Sequence, residues 1–100
     1  MVQETFLLEV KPGTEQEFEQ AFQKAAALVQ SAKGCLGSEL QRCLEQENKY
    51  LVAIEWETVE DHLVGFKNSP AYEEMKSLIG SYYLHLPQVE HYQRLRDLID

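Results

Sequence analysis

The chain has 100 residues, 9 Lys+Arg against 17 Asp+Glu for a formal charge of −8, and 44% hydrophobic residues. That length makes one domain, and an acidic balance without any basic cluster argues against nucleic acid or an anionic membrane as partner. No apolar run approaches the roughly 18 residues of a membrane span, and Met1-Val2-Gln3-Glu4 lacks the basic start and apolar block of a secretory signal, so the cytoplasm is the expected compartment.

Residues 2–10 alternate as a strand, with Val2, Glu4, Phe6, Leu8 and Val10 on one parity. Lys11-Pro12-Gly13 breaks it. Thr14 to Glu17 has the form of a capping box. Phe18, Ala21, Phe22, Ala25, Leu28, Val29 and Ala32 then follow helical spacing, which predicts a helix over 14–32 closed by Gly34. A second strand is expected over 35–44, with Leu36, Leu40 and Leu44 on one parity, and a third over 49–57. The polar turn Glu45-Gln46-Glu47-Asn48 joins them as an antiparallel hairpin.

Thr58 caps the next helix, whose apolar stripe is Val59, His62, Leu63 and Phe66. Ser69 caps a third helix with Pro70 at its first position, and Tyr72, Met75, Leu78 and Ile79 face inward. An aromatic-rich loop over 81–88 leads to a last strand, 89–95, and a tail, 96–100. The order predicts an α+β ferredoxin-like sandwich: a four-stranded antiparallel sheet with helices on one face. The other sheet face keeps apolar side chains, so a face-to-face homodimer is expected. The single domain spans 1–100, with a core of about 2–93 and a C-terminal tail of 94–100.

Cys35 and Cys43 sit eight residues apart on one predicted strand. That is roughly 26 Å, too far for an internal disulfide. No carboxylate–histidine cluster has metal spacing, and no glycine-rich phosphate loop or nucleophile elbow occurs, so neither metal nor nucleotide cofactor is expected.

The residues left to carry chemistry are aromatic and imidazole. Trp56 is either a core anchor or a pocket wall. His62 lies on the buried stripe of its helix, where it is either a satisfied core histidine or a neutral general base. His91 shares its parity with Val89 and faces a ligand or a structural partner. Tyr72 points inward, Tyr82 and Tyr83 form a lid or fill core, and His85 is solvated.

Lys11-Pro12-Gly13, Gly34-Cys35-Leu36, Glu55-Trp56-Glu57-Thr58, Glu60-Asp61-His62, Phe66 with Ser69-Pro70, and Val89-Glu90-His91-Tyr92 occur in an order that resembles the antibiotic biosynthesis monooxygenase superfamily of dimeric α+β barrels. The resemblance covers residues 2–93. It implies a homodimer and, in some members, oxygenation of quinols or anthrones by dioxygen without metal or flavin. Other members degrade haem through an asparagine, a second tryptophan and a ligating histidine. The corresponding positions here hold Phe6, Gly65 and Met75, so that activity is not implied. The expected function is a cofactor-independent monooxygenase acting on a small aromatic or quinol-like compound. His62 is its base, and Trp56, Phe66, Tyr72, His91 and Tyr83 contact the substrate. The alternatives are a non-catalytic binding module and a non-oxidative, isomerase-like enzyme on the same scaffold.

Overall fold

The computed structural model describes residues 1–95, so the expected 96–100 tail lies outside the described residues. Strand β1 (Val2–Glu9) is followed by helix α1 (Glu15–Gln30), strands β2 (Cys35–Arg42) and β3 (Lys49–Trp56), a π-helical turn (Asp61–Phe66), helix α2 (Pro70–Ile79), a 3₁₀ turn (Gly80–Tyr82) and strand β4 (Glu90–Tyr92). The four strands form one antiparallel sheet in the order β2-β3-β1-β4. This is the ferredoxin-like arrangement that the element order predicts. Among the described residues, no helix is long and apolar enough to cross a membrane.

Register decides which side chains reach the core. Glu4 lies opposite Ile54 on β3 and His91 on β4, while Leu8 meets Tyr50 and Phe6 meets Val52. The even parity of β1 and β3 therefore faces the helices. Leu8, Val10, Tyr50, Val52, Ile54 and Trp56 are buried there against Phe18, Phe22, Ala25 and Val29 of α1 and Ile79 of α2. Burying such side chains contributes about 1.5–3 kcal/mol each.

Several local expectations change. The capping box does not close: the Thr14 hydroxyl donates to Lys11 O at 2.6 Å, and Glu15 accepts from the Gly13 N–H at 3.0 Å. The hydroxyl bonds back to the turn that begins at Lys11, which leaves Glu17 nothing to reciprocate. A register shift between Cys35 and Gly37 puts Leu36 and Leu40 out of phase. Leu40 packs on the core, whereas Leu36 is 49% exposed. The last strand is three residues rather than seven.

The segment after β3 is π-helical, with the Lys67 N–H reaching His62 O at 3.0 Å. The Thr58 hydroxyl accepts from the Asp61 N–H at 3.1 Å and so starts the turn as expected. The wider winding seats both His62 and Phe66 in the core, 3% and 4% exposed, and leaves Leu63 outside. Ser69 caps α2 by accepting from the Tyr72 N–H at 3.3 Å, with Pro70 in the first turn.

Gly34 fixes the approach of this turn to the end of α1. Its φ is +85°, and a Cβ there would overlap the Asp61 carboxylate. Gly13 has φ +90° with open space around it. Gly13→Ala is therefore expected to cost about 1 kcal/mol from backbone strain alone. Gly34→Ala is expected to cost roughly 2–3 kcal/mol, because the Asp61 turn must also shift. Urea unfolding of the two variants side by side measures the difference; equal losses would show that the Gly34–Asp61 contact carries no weight.

Candidate functional site

The sheet and helices enclose a cavity at mid-span. Strands contribute Glu4, Phe6, Ser38, Val52 and Ile54; α1 contributes Phe22, Ala25, Ala26 and Val29; the π-helical turn and α2 add His62, Phe66, Tyr72, Met75 and Ile79. Small side chains on facing elements, Ala25 and Ala26 opposite Ser38, leave the space. About 30 Å³ is open to the centre of a water molecule, room for roughly two waters. Phe6, Tyr72 and Met75 are half-buried and form the part of the wall nearest solvent.

Aromatic rings brace both ends of the cavity. Phe18 meets Tyr50 at 4.9 Å and Tyr82 at 6.0 Å at one end of the sheet. At the other, Trp56 stacks on His62 at 5.5 Å and 22°, contacts Phe66 at 5.7 Å, and Phe66 meets Tyr72 edge-on at 5.6 Å. The Trp56 ring is fully buried behind His62 and is not in the cavity wall.

The polar part of the wall is a carboxylate and an imidazole. Glu4 is 5% exposed, and its Oε1 accepts the Trp56 indole N–H at 3.0 Å. His62 Nε2 lies 3.3 Å from the same oxygen, and its Nδ1 is 2.8 Å from His91 Nε2. Burial raises the Glu4 carboxyl above the usual range, offset in part by the indole bond and the Lys67 charge. Burial, helped by the positive potential of His91 and Lys67, pulls His62 down to about 4. Both groups are driven toward their uncharged forms because each charge is costly in the low dielectric of the core. At neutral pH His62 is an unprotonated imidazole able to accept a proton.

Of the expected site residues, the structure brings His62, Phe66 and Tyr72 to the cavity. Trp56, His91 and Tyr83 lie outside its lining. Trp56 holds Glu4 from behind. His91, on edge strand β4, touches His62 on the side away from Glu4. Tyr83 bridges to Val10, and burial pushes its hydroxyl up to about 12. Tyr82 packs edge-on against Phe18, so neither tyrosine covers the cavity. His85 is 65% exposed and meets Glu9 at 3.0 Å.

Glu4 is the residue that sequence reasoning passes over. The available signal is its parity: a carboxylate among Val2, Phe6, Leu8 and Val10 on the core-facing side of a strand. Among the described residues, no group of three or more His, Cys, Asp or Glu side chains is arranged to hold a metal ion. Cys35 and Cys43 are free thiols.

The buried imidazole sets a pH dependence. The unfolded imidazole (6.5) takes its proton before the folded one (about 4), so protonation favours unfolding as pH falls through that interval. The stability at stake is on the order of 3 kcal/mol. Glu4 opposes this: its raised carboxyl loses stabilising weight as pH rises above 4.5. The difference in unfolding free energy between wild type and His62→Gln is therefore expected to grow from pH 4 to 6.5 and then level off. A difference independent of pH, read from urea midpoints, would contradict a neutral buried His62.

The geometry can be set beside known proteins. The family model for antibiotic biosynthesis monooxygenase matches residues 1–78. The uncharacterized protein YczJ of Bacillus subtilis (strain 168) is 46% identical over 93 residues, covering 93% of this chain and 98% of that protein. A Bordetella bronchiseptica protein described in terms of the same family has a crystal structure that superposes with a TM-score of 0.91 at 36% identity, covering 95% of this chain and 97% of its own. SnoaB of Streptomyces nogalater, described as a cofactor-independent oxygenase, shares the fold with a TM-score of 0.85 at 17% identity, covering 99% of this chain and 97% of its own. With the family model spanning most of its length and a solved relative sharing over a third of its residues, this chain belongs to the antibiotic biosynthesis monooxygenase family.

Proposed function

We propose that this chain is a cofactor-independent monooxygenase that oxidises a small, weakly acidic aromatic compound of the phenol or quinol type. The observation that carries this reading is a buried imidazole 3.3 Å from a buried carboxyl group on the wall of an otherwise apolar cavity. His62 Nε2 removes a proton from the ring CH₂ of the anthrone-like keto tautomer of such a phenol. The carbanion then reduces dioxygen. One oxygen atom becomes the product carbonyl and the other leaves as water, so that R₂CH₂ + O₂ gives R₂C=O + H₂O. Four electrons leave the carbon and four reduce the dioxygen.

An apolar, water-poor cavity strengthens the electrostatics that hold the developing anion. Glu4 Oε1, 3.3 Å away, stabilises the imidazolium as it forms, and Trp56 orients Glu4. Phe66 and Tyr72 offer ring faces to the substrate. A cavity with room for two waters must widen to admit a ring, and the half-buried Phe6, Tyr72 and Met75 are the side chains able to swing aside.

A second reading is binding of a small apolar molecule in the same cavity without turnover. A third, non-oxidative proton transfer, uses the same base. The homodimer belongs with these proposals. The uncovered sheet face carries Leu7 at 56% and Tyr92 at 53% exposure. By register it also carries Leu51 and Ala53, interleaved with Glu39 and Glu55.

Oxygen uptake with a panel of anthrones and quinols is expected for the wild type. His62→Ala should lower kcat about 10²–10⁴-fold, and Trp56→Phe, which removes only the Glu4 support, should lower it less. Equal rates in all three would remove both residues from the mechanism. Thermal stabilisation of about 2.7 kcal/mol at a hundredfold excess over Kd without product would favour the binding reading, and product formed anaerobically the non-oxidative one. In sedimentation equilibrium the wild type should weigh two chains and Leu7→Asp one; a monomeric wild type would contradict the dimer.

A further inference from the structure

The contact between two imidazoles, one on the cavity wall and one on an edge strand, points to a route: we infer that His62 and His91 form a proton wire leading from the cavity to the protein surface, with His91 as its outlet. The inference rests on the proposed proton abstraction at His62. The two imidazoles touch, and the second lies on an edge strand.

His62 divides its two ring nitrogens between inside and outside. Nε2 faces Glu4 on the cavity wall at 3.3 Å. Nδ1 meets His91 Nε2 at 2.8 Å, a full hydrogen bond between two histidines. His91 is cross-strand partner to Glu4 on the three-residue strand β4, which pairs only with β1 and leaves its other edge open among the described residues. The His91 side chain is half-buried, so the wire runs from a 3%-exposed ring to one that reaches solvent.

The step balances as a relay. The substrate proton bonds to His62 Nε2 while the proton on His62 Nδ1 passes to His91 Nε2. His91 Nδ1 then releases its own proton to water or buffer, and one proton returns from solvent to the peroxide anion when its outer oxygen leaves as water, so no net proton is lost over the cycle. Each ring gains one proton and loses one, and exchange of tautomers resets the pair. Among the described residues, no other titratable side chain facing His62 offers this path. Glu4 is buried and already holds the Trp56 indole N–H. The Cys35 thiol, half-buried on β2, and the Tyr83 hydroxyl are both raised by burial and by the Glu4 charge. Lys67 contributes a positive potential at a distance. Tyr72 sits on the substrate side. Glu90 and Tyr92 alternate to the opposite sheet face and bond each other at 2.8 Å.

His91 touches neither substrate nor dioxygen in this scheme; it is a positioning and relay residue. The test is His91→Gln, assayed for oxygen uptake across a range of buffer concentrations. With the outlet gone, turnover is expected to fall at least tenfold in dilute buffer and to recover as free imidazole is added, while KM stays unchanged. The wild type should ignore the added imidazole. A variant whose rate falls without rescue, or does not fall, overturns the wire and leaves the oxygenase reading intact. A readout free of turnover uses ¹⁵N-histidine-labelled wild-type protein, in which a coupling across the hydrogen bond from His62 Nδ1 to His91 Nε2 is expected. Its absence overturns the wire as well. The coupling without any oxygen uptake would keep the wire and remove the oxygenase reading.

Discussion

The bond from the Trp56 indole to Glu4 is the constraint on which the site depends. It crosses from the end of β3 to β1, two strands that the register holds side by side, and it lets a carboxylate survive inside a hydrophobic core. Without the indole donor, a buried Glu4 would face a desolvation penalty of several kcal/mol with only an imidazole to offset it. With it, Glu4 stays in place, and the Trp56 ring becomes the plate on which His62 stacks. One side chain thus fixes the carboxylate by hydrogen bonding and the imidazole by ring contact.

The rest of the molecule holds this arrangement open. Phe18, Tyr50 and Tyr82 fill one end of the space between sheet and helices, and Trp56, His62 and Phe66 fill the other. Between them the small side chains of α1 and β2 cannot close the gap. The π-helical winding of residues 61–66 brings His62 and Phe66 inward together. Gly34 lets the Asp61 turn lie against the end of α1. A Glu–His pair in a core is often no more stabilising than apolar residues of the same volume.

Much of the fold was legible in the letters, because period-two and period-3.6 apolar patterns, the Ser69-Pro70 start and the Thr58 cap report local physics. The parity of Val52, Ile54 and Trp56 placed one sheet face correctly. What escaped was set by tertiary contacts. A register shift at Leu36 carries no composition signal. Whether Thr14 bonds Glu17 or Lys11 depends on the turn before it. A π-helical turn and an α-helix share one stripe of apolar residues. In the site, His62 was legible from its place on that stripe, and Phe66 and Tyr72 with it. Trp56 and His91 read as substrate contacts in the sequence; their positions behind the cavity wall follow only from ring stacking and strand pairing. Glu4 was visible as an acid among apolar neighbours, yet its partners are 52 and 58 residues away in sequence, beyond any local pattern.

The most direct measurement is a crystal structure with a phenolic or anthrone-like ligand bound. The account predicts the ligand's ionisable group within hydrogen-bonding distance of His62 Nε2, its ring against Phe66 and Tyr72, and Phe6 or Met75 displaced to make room. A ligand seated elsewhere on the protein, with the cavity still closed around its two waters' worth of space, would contradict it.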